Sequence, residues 1–142
     1  TEGPKNQLGQ VVWDKGKAYK YVKAGAALAV KRVAAYDLTA DDGQTVIYPA
    51  ATGAKNVAGV VMAAIASGGY GWIQVHGYAL VDFDGTSTDA VAGEPLVAFD
   101  TVGKAIGCDV TVATSVAGRF GIALDAETTN NTALEVFLRG LL

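Results

Sequence analysis

The sequence lacks the residues on which most enzymatic and metal chemistry depends. It has one cysteine, Cys108, and one histidine, His76, so it can form neither an intramolecular disulfide nor a zinc site built from several Cys and His ligands. A lone thiol of this kind is usually buried as a small apolar group. No Gly-x-Ser-x-Gly motif is present to support a Ser-His-Asp triad. We therefore predict that the protein is not an enzyme and needs no cofactor.

Excess charge of one sign and long apolar runs are also missing. The 11 basic and 14 acidic residues give a formal net charge of -3, so nucleic acid and anionic membranes are not expected partners. The longest apolar runs, such as residues 60–66, are far shorter than the roughly 20 residues that cross a bilayer. The first ten residues contain no apolar signal region, and the start at Thr1 suits removal of an initiator Met, so we expect synthesis in the cytoplasm.

What the sequence does contain is a set of short apolar runs separated by glycine. Hydrophobic residues make up 51% of the 142 residues, and 18 residues are Gly. This composition fits one folded domain and favours an all-β architecture, a compact β-barrel or β-sandwich. We predict an extended N-terminal arm over residues 1–17, with Trp13 in its apolar anchor, and a single β domain over residues 18–142.

Residues 69–83 show the clearest strand pattern. At a period of two, one face carries Ile73, Val75, Gly77, Ala79, Val81 and Phe83, and the other carries Trp72, Gln74, His76, Tyr78 and Asp82. This is typical of a half-buried β-strand. Because aromatic and amide groups are displayed together on the second face, we predict that another protein covers it.

Other segments are predicted as strands on weaker patterns. Residues 17–24 alternate, with Tyr19 and Tyr21 on one side. Residues 26–36 contain good helix formers but also tolerate alternation, and we favour a strand there. The Asp41-Asp42-Gly43 sequence predicts a tight hairpin turn. The further predicted strands are residues 45–49, 57–66, 94–99, 104–113, 119–125 and 133–138.

Parts of the first half of the sequence recur in the second half. Gly59 matches Gly121 at an offset of 62, residues 73–75 match residues 134–136, and Leu28 matches Leu96 within the similar segments 24–28 and 92–96. The matched pieces occur in the same order in both halves. We therefore predict two similar β units, near residues 18–82 and 85–140, which fold together because two repeats cannot form a solenoid.

Three other features have simple interpretations. Asp82, Asp84 and Asp89 lie at a spacing that resembles a calcium loop only loosely, so a hairpin turn is the favoured interpretation. Glycines 68, 69 and 71 precede a strand and not a helix, which gives a nucleotide phosphate no site. Lysines 15, 17, 20 and 23 surround Tyr19 and Tyr21, a pattern that fits a solvated strand edge, docking on an acidic protein or, least well, single-strand binding.

Four segments together resemble a known family. Residues 16–25 (GKAYKYVKAG), 71–77 (GWIQVHG), 92–96 (AGEPL) and 121–124 (GIAL) look like the small head decoration, or cement, proteins of tailed bacteriophages. The resemblance spans most of the chain but carries no catalytic signature.

The resemblance implies a β-rich virion protein on the outer surface of an icosahedral capsid. Such a protein is often a homotrimer and stabilises the head by clamping neighbouring major capsid protein subunits. The predicted partner-binding residues come from the arm and the outer strand faces: Trp13, Tyr19, Tyr21, Trp72, Gln74, His76 and Tyr78.

Two other function classes remain open on the sequence. One is another virion component, such as a fibre base, a tail module or an adhesion module that binds glycans through Tyr70 and Trp72. The other is an enzyme that uses Asp82 and Asp84 in a cleft.

Overall fold

The computed structural model describes residues 3–40, 42–86, 88–99, 102–108, 118–130 and 132–141. Within these ranges the chain forms ten β-strands and no helix, which confirms the all-β prediction. The strands are β1 (Val11–Asp14), β2 (Lys17–Ala24), β3 (Val33–Tyr36), β4 (Thr45–Ile47), β5 (Val57–Val61), β6 (Tyr70–Asp82), β7 (Pro95–Ala98), β8 (Ala105–Gly107), β9 (Gly121–Ala123) and β10 (Ala133–Leu138). In these same ranges, no helix is long and apolar enough to span a membrane.

Five strands close into a barrel. The order along the sheet is β1-β2-β4-β3-β5-β6-β10-β9-β7-β8, and a further pairing between β2 and β6 makes a ring of β2, β4, β3, β5 and β6. The β2–β4 pairing is parallel and the other four pairings in the ring are antiparallel. A closed ring has no free edge, which removes a route to aggregation.

The strands that follow repeat this connectivity. In the second unit, β7 pairs with β8 and β9, β9 pairs with β10, and β10 pairs with the second half of β6. In the first unit, β3 pairs in the same way with β4 and β5, β5 pairs with β6, and β6 pairs with β2. A parallel bridge between Phe83 and Ala105 brings β8 back to the end of β6. The long strand β6 therefore takes part in both units. The predicted boundary between the two β units, at residues 82–85, stays a prediction.

Strand register identifies which positions correspond. The Leu28–Ile65 bridge of the first unit has its counterpart in the Ala90–Glu127 bridge of the second, at an offset of 62. Leu28 therefore corresponds to Ala90, and the predicted match to Leu96 is wrong. Likewise, Gln74 lies opposite Val60 in the first unit, and Phe137 lies opposite Ile122 in the second. Gln74 therefore corresponds to Phe137, and the predicted match of residues 73–75 to residues 134–136 is displaced by two residues. A two-residue slip preserves which face each side chain occupies, so alternation alone could not detect it.

The described residues form three hydrophobic clusters, and two of them are large: the first lies within the barrel, and the second joins residues of the second unit to Val33, Val57 and Val60 of the first. β6 contributes to both, because Ile73 and Val75 lie in the first cluster and Ala79 and Val81, with Phe83 directly after the strand, lie in the second. All five side chains are buried, which confirms the predicted core face of β6. Cys108 is buried, as expected for a lone thiol.

Two local predictions have mixed outcomes. Residues 26–36 contain no helix, but only Val33–Tyr36 form a strand, with Leu28 in an isolated bridge. Eight residues, 37–44, connect β3 to β4, so the predicted tight hairpin turn at Asp41-Asp42-Gly43 is wrong. Gly43 has a φ of 63°, and Asp41 lies outside the described residues. The Asp42 carboxylate accepts hydrogen bonds from the backbone N–H groups of Gln44 and Thr45, and these bonds lower its pKa. Of the predicted strand over residues 104–113, the part at 109–113 is likewise not described.

Candidate functional site

The N-terminal segment folds back onto the barrel. β1 pairs with β2 through a two-residue turn at Lys15 and Gly16, whose φ values of 51° and 78° suit a tight antiparallel hairpin. Further upstream, the Gly9 N–H donates to the carbonyl oxygen of Tyr21 at 2.8 Å. The segment predicted as an arm therefore contacts the chain's own β2 and presents Trp13 with 60% of its surface exposed.

Four aromatic or imidazole side chains lie side by side on one surface, which we call the aromatic band: the exposed Trp13, Tyr78 and Phe137, and the half-buried His76. The His76 ring lies 5.4 Å from the Trp13 ring and 5.3 Å from the Phe137 ring, centroid to centroid. Phe137 on β10 lies directly opposite Tyr78 on β6. Three separate strands, β1, β6 and β10, thus place their aromatic groups side by side. Such exposed aromatic surface is enriched where proteins bind each other.

Tyr78 gives the aromatic band a polar margin. Its side chain is 41% exposed, and its hydroxyl donates to Oε1 of Glu135 at 3.2 Å. Partial burial, followed by the neighbouring Glu135 carboxylate, raises the pKa of Tyr78. The Lys17 ammonium lies 5.6 Å from the centre of the Tyr78 ring, within cation–π range.

An apolar groove adjoins the aromatic band at Tyr78. Its volume is about 230 Å³, and its walls include Val30, Met62 and Leu80, each between 38% and 43% exposed. Lys17 and Lys31 also line it. Leu80 and Phe137 are not among the predicted partner-binding residues, although both occupy the outward phase of their strands, which alternation can detect. Val30 and Met62 lie in or beside loops, where no periodicity could place them.

A second aromatic cluster is centred on the buried Tyr21. Tyr21 stacks on Tyr70 at 6.4 Å and contacts Trp72 at 5.0 Å, centroid to centroid. Its hydroxyl accepts a hydrogen bond from the backbone N–H of Lys5, and only 5% of its surface is exposed. The prediction that Tyr21 is displayed on an outer face is therefore wrong, because the N-terminal segment covers it. Trp72 is partly exposed.

Gln74 is also not displayed. Only 1% of its surface is exposed, and its Nε2 donates to the backbone carbonyl oxygens of His76 at 3.0 Å and Tyr78 at 2.7 Å. The β2–β6 register skips a residue here, and Gly77 adopts a φ of 93°. This β-bulge redirects the strand, and the amide of Gln74 lies against its carbonyl groups. The prediction that Gln74 lies on the displayed outer face is wrong.

Tyr19 is partly exposed and lies between Val12 of β1 and Gln74 of β6 in the sheet. The lysines near it do not form one patch. Lys20 donates to the Tyr36 hydroxyl at 2.6 Å, whereas Lys17 lies over Tyr78. The structure thus brings together Trp13, His76 and Tyr78 of the predicted partner-binding residues, and separately Tyr21 and Trp72.

The two aspartates considered for catalysis have protein partners. Asp82 forms an ion pair with Arg32, with Nε and Oδ2 3.1 Å apart. Asp84 is 6% exposed and accepts hydrogen bonds from the backbone N–H and hydroxyl of Thr86. Burial opposes ionisation, but these hydrogen bonds and the Lys104 charge prevail, and the pKa of Asp84 is lowered. Within the described ranges, no group of three or more potential metal ligands is found.

Comparison with known proteins gives likeness in structure only. No protein-family model matches the sequence, and no curated protein matches it. The structure is similar to the head fiber gp8.5 N base of bacteriophage phi29, with a TM-score of 0.59 and 16% identity over 87% of this chain and 94% of that one. It is also similar to a chain in the capsid of Myoviridae phage XM1, with a TM-score of 0.62 and 15% identity over 99% of this chain and 94% of that one. The fold is therefore one that occurs in proteins of phage heads.

Proposed function

We propose that this protein is a structural component of a phage head. The observation that supports this most is the likeness of fold over 99% of the chain to a protein of a phage capsid, and over 87% to the base of a phage head fiber. Both similar structures are virion parts. The same inference follows independently from the sequence segments that resemble decoration proteins.

Within that role, we propose that the protein binds the outer surface of the capsid and clamps neighbouring major capsid protein subunits. The aromatic band supplies a suitable contact surface, since Trp13 is 60% exposed and Tyr78 and Phe137 are 41% and 37% exposed. Aromatic side chains bury a large area at low entropic cost, which makes them frequent hot spots. Because the band is mainly aromatic, binding through it would depend little on salt.

The proposed mechanism is mass action. A protein that binds the assembled shell but not the loosened shell stabilises the assembled form, and many copies on a symmetric lattice multiply the effect. A homotrimer would raise the effective concentration of each aromatic band at the lattice. In this proposal the protein is not an enzyme, because Asp82 and Asp84 are engaged in structural contacts.

A second candidate is the base of a head fibre. It is favoured by the likeness to the head fiber gp8.5 N base, 94% of which aligns with this chain. Both candidates place the protein in the virion. They differ in the partner that binds its exposed surface, which is a neighbouring capsid subunit in the first and a fibre in the second.

Localisation in the virion separates the candidates. Cryo-electron microscopy of purified particles should show the protein's density on the outside of the head, bridging adjacent capsid subunits. Density that continues outward into a fibre would favour the second candidate. Particles without the protein on the head would contradict both.

The contact surface is tested by substitution. Trp13→Ala combined with Phe137→Ala should weaken binding to heads that lack the protein and lower the temperature at which decorated heads release DNA. The matched control is Leu38→Ala, which removes an apolar side chain 80% exposed outside the aromatic band. Unchanged binding by the double variant would exclude the band as the capsid contact.

A further inference from the structure

A small cavity lies at one end of the second unit, away from the apolar groove. It is about 240 Å³ in volume and is lined by Pro95, Arg119, Gly121, Arg139 and Gly140. This space is enough for a phosphate or a carboxylate group. The start of β7, the start of β9 and the end of β10 meet there.

The strand pairing brings the two arginines together. Gly121 is the register partner of Leu138, and the backbone N–H of Arg139 donates to the Phe120 carbonyl oxygen at 3.4 Å. Arg119 and Arg139 therefore leave adjacent strands at the same end of the sheet. Both are exposed residues.

Arginine is rare in this chain, so the presence of two arginines at one cavity is informative. Only three of the 11 basic residues are arginines, and two of them line this one cavity. The third, Arg32, is bound to Asp82 and to the carbonyl oxygen of Val102. By contrast, neither Arg119 nor Arg139 has an ion pair with any carboxylate in the described residues.

Two like charges held close together repel each other, and an anion between them relieves that repulsion. The planar guanidinium group presents paired N–H donors that match the two oxygens of a carboxylate or phosphate. Gly121 and Gly140 carry no side chain that could fill the cavity. We propose that Arg119 and Arg139 form an oxyanion-binding site that accepts a carboxylate or phosphate group. This site is additional to the aromatic band and does not depend on the proposed function.

The site can be tested by NMR titration of the ¹⁵N-labelled protein. The probes are sodium phosphate and a capped Gly-Glu-Gly-Glu-Gly peptide, each against sodium chloride at equal ionic strength. We expect saturable shifts of the Gly121 and Gly140 amide signals. Tighter binding of phosphate would identify a small free anion as the natural source, and tighter binding of the peptide would identify acidic side chains of a partner protein.

Matched variants distinguish a specific binding site from a general effect of positive charge on anion binding. Arg119→Gln and Arg139→Gln should each weaken binding about tenfold or more, and Arg139→Lys should weaken it less, because lysine keeps the charge but loses the paired donors. Lys55→Gln removes the same charge at an exposed position elsewhere and should leave affinity within about twofold. The proposal is wrong if neither probe gives a saturable response, or if Lys55→Gln weakens binding as much as the arginine variants.

Discussion

At the scale of single residues, Gln74 stabilises the bulge in β6. Its side-chain amide donates to two backbone carbonyl groups, those of His76 and Tyr78, from a fully buried position. We predict that Gln74→Leu lowers the free energy of unfolding by about 1–3 kcal/mol, because the bonds are lost while the side-chain volume is kept. Chemical denaturation measures the change.

Gln10→Leu is the control for Gln74→Leu, since Gln10 is exposed and lies outside the closed barrel. It should change the free energy of unfolding by only a few tenths of a kcal/mol. If the two variants were equally stable, the buried hydrogen bonds of Gln74 would not contribute to the fold.

Asp84 should make stability depend on pH. Its pKa is lowered in the folded state, so it contributes stability above its unfolded pKa of about 3.9, and that contribution is lost as pH falls through the folded pKa. We predict that Asp84→Asn is less stable than the unsubstituted protein at pH 7 by about 1–2 kcal/mol. Free energies of unfolding measured from pH 7 down to pH 3 should show the difference shrinking in acid.

The exposed carboxylate Glu94 supplies the control for Asp84. Glu94→Gln should be nearly as stable as the unsubstituted protein at pH 7. Acid will still destabilise Asp84→Asn, because hydrogen bonds also lower the pKa of Asp37 and Glu127. A stability difference for Asp84→Asn that stayed constant with pH would show that its charge is not the cause.

The sequence predicts correctly which face of a strand a side chain occupies, but it predicts the solvent exposure of that side chain less well. Alternation in β6 gave the core positions of Ile73 and Val81 correctly, because period two follows from backbone geometry alone. It could not show that the N-terminal segment covers Tyr21, or that a bulge buries Gln74, because both depend on which strands become neighbours. The same limit explains why the sequence predicts Trp13 and His76 as partner-binding residues but does not predict their contact.

At the scale of elements, β6 changes neighbours at Gly77. Residues 70–76 pair with β2 and residues 77–82 pair with β10. Gly77 has a φ of 93°, and a Cβ atom added there would lie 2.7 Å from the carbonyl oxygen of Gly16. Only glycine avoids both the strained backbone and the steric contact.

We therefore predict that Gly77→Ala destabilises the protein more than Gly68→Ala. Gly68 has a comparable φ of 78° but open space around it, so its substitution measures backbone strain alone, about 1–2 kcal/mol. Gly77→Ala adds the clash with Gly16, for a total of about 2–4 kcal/mol. Thermal unfolding of the two variants gives the comparison, and equal melting temperatures would exclude a close approach of the β1–β2 turn to β6.

Strand positions were the most predictable elements. Residues 17–24 and 133–138 were predicted with the observed bounds, since clear alternation and flanking turns mark them. The predicted strand at residues 57–66 ends early, at Val61, because the chain then leaves β6, and Ile65 pairs instead with Leu28 in an isolated bridge. The pairing partner of each strand depends on the long-range contacts that close the barrel, and no local sequence pattern predicts them. The parallel pairing of β2 with β4 is one example.

At the scale of the whole molecule, the shared strand β6 should couple the two units. Gly59 in β5 and Gly121 in β9 occupy corresponding positions, where an added Cβ atom would lie 2.5 Å from the Gln74 carbonyl oxygen and 2.8 Å from that of Phe137. Substitution of either glycine by alanine would therefore push one strand away from its neighbour. The two substitutions act on different units through the same kind of contact.

Tryptophan fluorescence can report the coupling because both tryptophans, Trp13 and Trp72, belong to the first unit or its β1 hairpin. We predict that Gly121→Ala, in the second unit, shifts the fluorescence-detected denaturation midpoint in the same direction as Gly59→Ala. Each should cost about 1–3 kcal/mol, and circular dichroism should give the same midpoint as fluorescence for each variant. The control is Gly3→Ala, where no atom lies within 4 Å and no shift is expected. If Gly121→Ala moved only the circular dichroism transition, the units would unfold separately, and continuity of β6 would not be enough to make the protein one cooperative body.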